Sequence, residues 1–288
     1  MLRTIFAVWD TETTSNKPTE DDIISIGAVI CEYKNGEFLK LDENHWYVHT
    51  SRKIDPAAYA VHRISAADLI GKDRIDVVLK NLTLWVQKYI YSNRDRLVMV
   101  AHNGRRFDDI LLYCNCMKNK IDYNKFLSDI QCYGFMDSIK FIKGVLKGQS
   151  KTMLPTDVKT ERVSYTLGNC YTSLCNKNIE DAHDALGDSR ALYEILNSEK
   201  LASIINIHKV FEYVVPIAKG VGAIKQSTGV SFQIMSGEVC RQSTNQNSGC
   251  RERLYESDEV LKTYKSEVTL CLSCVTFVPG GTMCECRG

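Results

Sequence analysis

Residues 3–14 read RTIFAVWDTETT, a run of mostly apolar residues that ends in an acidic cluster. A short apolar run of this kind is typical of a strand buried in the middle of a sheet. Asp10 and Glu12 follow it on either side of Thr11. In an extended chain, alternate side chains point to the same face. The stretch therefore predicts a central strand with two carboxylates projecting together from its end.

The segments that follow alternate between strand-like and helix-like patterns. Residues 22–33 and 37–49 look extended and flank Lys-Asn-Gly at 34–36, and Asn-Gly is a strong signal for a β-hairpin. Further strands are predicted at 97–102 and 131–138. Helices are predicted at 65–71, 75–92, 105–119, 139–147, 165–175 and 182–197, with a loop at 148–163. Three strands followed by strand–helix units predict an α/β, ribonuclease-H-like fold with a mixed five-stranded sheet flanked by helices.

Three more polar residues suit the same chemistry. Asp108 lies one turn into the helix after the fourth strand, and His183 and Asp188 lie five residues apart in the last helix. Mg²⁺ and Mn²⁺ prefer oxygen ligands and bind paired carboxylates together with substrate phosphates. Two such ions about 3.5–4 Å apart stabilise a phosphodiester displacement, and a nearby histidine can take a proton from water. The set predicts a hydrolase with two Mg²⁺ or Mn²⁺ ions per site.

The stretches around these residues resemble a known family. They are FAVWDTETT (6–14), VHRISAADL (61–69), VMVAHNGRRFDDILL (98–112), FMDSIKFIK (135–143) and YTLGNCYTSL…DAHDALGDSRALYEI (165–195). Together they resemble the DEDD superfamily of 3′→5′ exonucleases, in the subgroup whose third motif is H-x4-D. Two residues separate Gly from Phe in AHNGRRFD, which is similar to the TREX family of three-prime repair exonucleases. The resemblance covers residues 3–200.

The resemblance implies a role for each matching residue. Asp10, Glu12, Asp108 and Asp188 match the four metal-binding acids, and His183 matches the general base.

Asp109 is an alternative third acid, although the F-D register favours Asp108. Residues expected to contact the substrate are Thr11, Thr13, His62, Asn103, Arg106 and Phe107. Phe107 suits either a wall of the site or stacking on a terminal base. Arg63 replaces the glycine usual beside the matched histidine. Arg105 stands where an acidic residue is common, which predicts a positive charge beside the site. The proline-rich insertion of mammalian TREX proteins is missing from 148–163.

Composition narrows the class of protein. The 288 residues include 36 basic and 35 acidic side chains, for a formal charge of +1. This balance argues against a polycationic binder and still permits a nucleic-acid enzyme with a local basic patch. Five lysines between positions 140 and 159 are interpreted as a solvated face. No apolar run approaches the ~20 residues of a membrane helix, and the N-terminus lacks a cleavage signal. We therefore expect an intracellular protein, cytoplasmic or nuclear, with no membrane partner.

The amino-acid composition of the chain changes after Pro216, where Gly, Ser, Thr, Asn and Gln become frequent. We expect an exonuclease domain at 1–215 and a Cys-rich C-terminal extension of unknown role at 216–288. Four of its cysteines could hold a structural Zn²⁺, with disulfides or free thiols as the alternatives. They are Cys271, Cys274, Cys284 and Cys286.

The expected activity is removal of nucleoside 5′-monophosphates from DNA 3′ ends, either single-stranded or in a frayed duplex. The Tyr-Thr-Leu-Gly stretch at 165–168 favours DNA because it is similar to TREX. Two alternatives stay open: an exoribonuclease, since sugar choice depends on the pocket walls, and a scaffold that holds nucleic-acid ends without efficient cleavage. A homodimer also stays open.

Overall fold

The computed structural model describes residues 3–179, 183–228, 230–235 and 238–243. Its strands are β1 (Thr4–Thr13), β2 (Ile23–Lys34), β3 (Glu37–Tyr47), β4 (Arg96–Ala101), β5 (Cys132–Asp137), β6 (Val214–Pro216), β7 (Val230–Met235) and β8 (Glu238–Ser243). Its helices are α1 (Pro56–His62), α2 (Ile75–Gln87), α3 (Asp108–Lys118), α4 (Tyr123–Asp129), α5 (Ser138–Val145), α6 (Ser150–Met153), α7 (Leu167–Cys175), α8 (Ala185–Leu196), α9 (Glu199–Ala202), α10 (Ile207–Glu212) and α11 (Ile217–Thr228). Short 3₁₀ turns lie at Ala67–Leu69 and Gly104–Arg106.

The main sheet has the strand order β3-β2-β1-β4-β5-β6. β1, β4 and β5 run parallel, whereas β2, β3 and β6 join as antiparallel neighbours. The predicted mixed sheet flanked by helices is confirmed, and it has six strands rather than five. The additional strand, β6, is only three residues long and ends at Pro216. So short a segment carries no readable alternation of apolar and polar residues.

β1 lies at the centre of this sheet, with β2 on one side and β4 on the other. Phe6 and Val8 are fully buried and belong to a core that α5, α7 and α8 complete. The strand does not end after Trp9, where the apolar run ends, but continues through both acidic residues to Thr13. Pairing with β2 continues through Glu12. The two carboxylates therefore project from the sheet itself.

Gly27 on β2 brings the last predicted acid to this strand. It pairs with Asp10, and a Cβ atom at Gly27 would lie 2.2 Å from the backbone of Ala185. The first turn of α8 thus rests directly on the β2 backbone. Ser189 secures this contact, because its hydroxyl donates to the Gly27 carbonyl at 3.0 Å. Asp188, next to Ser189 on α8, thereby lies close to Asp10 and Glu12 of β1.

Several short helices were not predicted. α1, α4, α9 and α10 have four to seven residues each, too few for a helical period to show. Local capping explains two of them. Asp55 accepts from the amide of Ala57 at the start of α1, and Asp122 accepts from that of Lys125 at the start of α4. Such caps satisfy amides that a helix leaves unpaired at its N-terminus. α6 likewise occupies part of the expected loop.

The chain divides into two compact units, Met1–Gly220 and Val221–Gly288. Within the second unit, β7 and β8 pair as an antiparallel hairpin. The four cysteines predicted as zinc ligands lie outside the described residues. Where the structure describes the chain, none of its helices has the length and apolar character that crossing a membrane requires.

Candidate active site

A cleft of about 620 Å³ opens at the ends of β1 and β4. It lies within the first unit, and most of the predicted site residues line it. They are Asp10, Thr11, Glu12, Asn103, Phe107, Asp108, His183 and Asp188. The other three predicted residues, Thr13, His62 and Arg106, are not part of its wall.

Three carboxylates of the cleft form one cluster. Asp10, Glu12 and Asp188 each offer one carboxylate oxygen, and these three atoms lie within 4.8 Å of one another. The alternation of β1 brings the first two together, and the docking of α8 adds the third. Among the residues described, no lysine or arginine forms an ion pair with any of them. A cluster of oxygen ligands without a protein cation fits a divalent metal ion.

The pKa values of the clustered carboxylates also indicate a site for a divalent ion. Burial raises the pKa of Glu12 to about 8 and that of Asp188 to about 6. The pKa of Asp10 is raised well above its usual value by burial and then by the charges of Asp108 and Asp188. Without a cation these groups repel one another and favour their protonated forms. A divalent ion would relieve the repulsion and keep them ionised.

Asp108 approaches the cluster from a different element, the first turn of α3. The hydroxyl of Thr11 donates to it at 2.6 Å, which fixes one of its oxygens. Burial raises the pKa of Asp108 to about 7. Its neighbour Asp109 is also buried but does not line the cleft. The structure therefore places Asp108, and not the alternative third acid, beside Asp10.

The positive charge expected from Arg105 is not beside the cleft, and that prediction is wrong. The guanidinium forms an ion pair with Asp109 at 3.1 Å and donates to the carbonyl of Gly220 at 3.0 Å. Its side chain is 9% exposed. The buried carboxylate one helical turn later draws the arginine inward, because an unpaired buried charge is costly. Arg106 is exposed on the same turn.

His183 stands at the mouth of the cleft, two residues before the start of α8. Its backbone is left-handed, with φ of 66°. The next residue, Asp184, caps α8 by accepting from the amide of Gly187 at 3.0 Å. Burial raises the pKa of Asp188 and the nearby His183 opposes part of that rise, so the imidazole lies within electrostatic reach of the carboxylate cluster. This is a suitable place for a group that accepts a proton from water.

His62 and Thr13 lie beneath the surface. His62 is buried, and its Nδ1 accepts from the amide of Ile64 at 3.0 Å. Thr13 is buried too, and its hydroxyl donates to the carbonyl of Ser15. Arg63 has φ of 61°, a left-handed conformation that glycine adopts without cost. An exposed arginine therefore occupies a backbone position that favours glycine.

Some residues of the cleft were not predicted. The two ring nitrogens of His102 lie 2.8 Å from the hydroxyl of Ser138 and 2.8 Å from the carbonyl of Tyr165. They tie the end of β4 to α5 and to the segment before α7. Lys143, interpreted as part of a solvated face, lines the cleft with its ammonium 4.6 Å from the ring centroid of Tyr165. Ile139 lines it four residues earlier, a spacing that could have indicated a shared helix face.

The raised pKa values predict how the stability of the metal-free protein depends on pH. Carboxyl groups with raised pKa values stabilise the fold while protonated, and that contribution is lost as pH rises through the shifted values of about 6 to 8. In EDTA we expect Tm to fall between about pH 5 and pH 8.5, and saturating Mn²⁺ to raise it most at the alkaline end. Differential scanning fluorimetry measures both.

Glu12→Gln provides the control for this experiment, since it removes the carboxyl with a pKa of about 8. The alkaline part of the fall should become shallower in that variant. A Tm in EDTA that stays level or rises over the same interval would contradict the assignment of mutually repelling carboxylates.

Known proteins share parts of this sequence and this fold. The RNase T family model, described as an exonuclease, matches residues 7–196. Three-prime repair exonuclease 1 of Bos taurus is 30% identical over 160 residues, and that of Homo sapiens is 31% identical over 150. These alignments cover 54% and 51% of this chain and 46% and 44% of the relatives. The chain thus aligns with less than half the length of those relatives.

Two solved structures share the fold. One is the zinc-bound complex of E. coli exonuclease I with single-stranded DNA, with a TM-score of 0.52 at 15% identity, over 73% of this chain and 42% of that one. The other is a 3′-exonuclease that recognises the stem-loop of histone mRNA, with a TM-score of 0.54 at 12% identity, over 85% and 92%. By its matched family model and its site, the chain belongs to the RNase T exonuclease family, in the DEDDh superfamily of 3′→5′ exonucleases and close to the three-prime repair exonucleases.

Proposed function

We propose that this protein is a metal-dependent 3′→5′ exonuclease that hydrolyses DNA from its 3′ end to nucleoside 5′-monophosphates. The observation that carries the proposal is the cluster of Asp10, Glu12 and Asp188, with Asp108 beside it and His183 at the mouth of the same cleft. A set of oxygen ligands that lacks a protein cation, next to a histidine, suits the hydrolysis of a phosphodiester.

The four carboxylates would hold two divalent ions, Mg²⁺ or Mn²⁺. When bound, such ions stabilise charge on the attacking and leaving oxygens of a phosphodiester displacement. Thr11 fixes the orientation of Asp108 through its 2.6 Å hydrogen bond. His183 lies at the mouth of the cleft, where it is exposed to solvent, and accepts the proton of the attacking water. Repulsion among the acids, which burial intensifies, favours the binding of cations to the cluster.

Other residues in and around the cleft would receive the nucleic acid. Lys143 supplies a positive charge there, held against the ring of Tyr165. Phe107 offers an aromatic face at the start of α3, on which a terminal base can stack. Asn103 and the exposed Arg106 lie on the turn between β4 and α3, where phosphate contacts would orient the strand.

The choice of DNA over RNA rests on the sequence likeness to the three-prime repair exonucleases and on the TREX-like stretch at 165–168. The shared fold does not discriminate, since one structural neighbour is bound to DNA and the other recognises an mRNA stem-loop. An exoribonuclease is therefore the second candidate. A scaffold that only binds ends is disfavoured because all four acids and the histidine are present.

One experiment tests the activity and the substrate together. DNA and RNA strands of one sequence, labelled at the 5′ end, are incubated with the full chain and Mg²⁺. We expect a ladder that shortens from the 3′ end, faster on DNA than on RNA, and none in EDTA. A 3′-labelled strand should release labelled mononucleotide in the first cycle. Faster degradation of RNA would assign the exoribonuclease, and cleavage of neither strand with Mg²⁺ or Mn²⁺ would refute the proposal.

A further inference from the structure

Arg105 and Asp109 form a buried ion pair across the start of α3. Their side chains are 9% and 4% exposed, and the joining atoms, Nη1 and Oδ2, are 3.1 Å apart. The two residues are four apart and lie on either side of Asp108 in sequence: Arg105 belongs to the 3₁₀ turn before α3, and Asp109 to the first turn of α3. The pair therefore bridges the backbone on the two sides of Asp108.

The other terminal nitrogen of Arg105, Nη2, connects this pair to a distant segment of the fold. Nη2 donates to the carbonyl of Gly220 at 3.0 Å, and the guanidinium lies 5.6 Å from the ring centroid of Phe135 on β5. A Cβ atom at Gly220 would lie 2.8 Å from that ring. The planar fork of an arginine can hold two partners in fixed directions, which an ammonium cannot. The arginine thus links α3, β5 and the segment at Gly220.

The turn that the pair holds is tightly constrained. At Gly104, a Cβ atom would lie 2.6 Å from that of Ala101 and 3.6 Å from a carboxylate oxygen of Asp109. The backbone consequently passes very close to β4 before α3 begins. Nothing else in the described chain forms an ion pair with Asp109. Arg105 alone offsets the charge that Asp109 places beside Asp108.

We propose that the Arg105–Asp109 pair is a positioning device for Asp108, so that this chain depends on the pair for full metal affinity. The inference rests on the proposed function, because it assumes that Asp108 is a metal ligand. Partners that orient a ligating carboxylate from outside typically contribute 10–100-fold in metal affinity. Removing the pair should weaken Mn²⁺ binding by about tenfold.

The decisive variant is Arg105→Met with Asp109→Leu in the full chain, which removes both charges and leaves their sum unchanged. Replacing a buried ion pair by apolar side chains of similar volume commonly preserves stability. We expect Tm in EDTA close to that of the parent, and a Mn²⁺ dissociation constant about tenfold higher. Electron paramagnetic resonance measures the concentration of free Mn²⁺ in the absence of nucleic acid, so the measured affinity does not depend on turnover.

Two further variants complete the design. Arg105→Lys keeps the positive charge but loses the planar guanidinium, and we expect its Mn²⁺ affinity to fall, by less than the about tenfold loss of the double variant. Lys125→Met breaks an exposed ion pair of the same i,i+4 spacing, Lys125 to Asp129 on α4 at 2.8 Å. It should alter neither Tm nor Mn²⁺ binding, since exposed pairs contribute little.

A folded double variant that binds Mn²⁺ as tightly as the parent would overturn the proposal. If the double variant does not unfold cooperatively, Arg105→Lys decides: parent-like Mn²⁺ affinity refutes positioning, and weakened affinity supports it. A parent chain that binds Mn²⁺ but cleaves neither DNA nor RNA would refute the proposed function and leave this inference standing.

Discussion

Asp188→Asn should abolish nearly all exonuclease activity, with kcat/KM falling at least ~10³-fold. A divalent ion contributes several kcal/mol to a phosphoryl transition state, and each 1.36 kcal/mol is worth a factor of ten in rate. The substitution removes one member of the three-carboxylate cluster without changing the size of the side chain. The contact of α8 with Gly27 runs through Ala185 and Ser189, so the fold should be retained.

Single-turnover rates on labelled DNA measure this loss, and circular dichroism checks the fold. Glu194→Gln is the matched control, because it neutralises another carboxylate of α8, one that pairs with Lys177 at 2.8 Å on the surface. We expect the control to stay within about twofold of the parent, since exposed ion pairs contribute little. A tenth or more of the parent rate in Asp188→Asn would show that this acid is dispensable, contrary to the proposed ligand set.

His183→Ala should lower kcat by about 10²–10⁴-fold, the usual contribution of a positioned general base. The side chain stands at the mouth of the cleft and takes no part in the carboxylate cluster. Metal binding should therefore change little, and Mn²⁺ titration of the variant provides the check. A parent-like rate would mean that the proton of the attacking water is accepted elsewhere.

The pH profile separates the base from the metal ligands. A protonated imidazole cannot accept a proton, so the parent rate should fall as pH drops. Acid also protonates the carboxylates, since the pKa of Asp188 is raised to about 6 and that of Asp108 to about 7. Saturating Mn²⁺ suppresses this second cause, because metal binding opposes ligand protonation. Under that condition we expect the acid limb to persist in the parent and to vanish in the residual activity of His183→Ala. An acid limb that disappears from the parent as well would assign the pH effect to the carboxylates.

The parts of the fold that the sequence predicts are those with a strong local signal. Asn35 and Gly36 both have positive φ, 56° and 93°, which a two-residue hairpin of this twist requires. They join β2 and β3, with Lys34 paired to Glu37 as the dipeptide indicates. The long apolar runs of β1 and β4 also predict their strands, because each run is a strong local signal. The strand β6 could not be predicted, because three residues that end in proline are too few to show an alternation of apolar and polar side chains.

The same distinction applies to the site. The meeting of Asp10, Glu12, Asp108 and Asp188 in one cleft could be predicted because each lies near the end of an element that its own neighbours define. The direction of Arg105 could not, since it depends on a carbonyl 115 residues away in the sequence. The position of Lys143 could not be predicted either, because its place in the cleft depends on how α5 packs beneath Tyr165. Contacts between distant segments decide both, and no local pattern reports them.

The contact between Gly27 and the first turn of α8 also has a consequence for the order of folding. The hydrogen bond from Ser189 to the Gly27 carbonyl joins residues 162 apart in the chain. Closing so long a loop costs conformational entropy that only later contacts offset, and contacts of this range form slowly. The hairpin of β2 and β3, by contrast, closes locally. We therefore expect Asp188 to reach Asp10 only when nearly the whole unit has assembled. Metal affinity then appears late in refolding and reports completion of the native topology, where secondary structure alone would not.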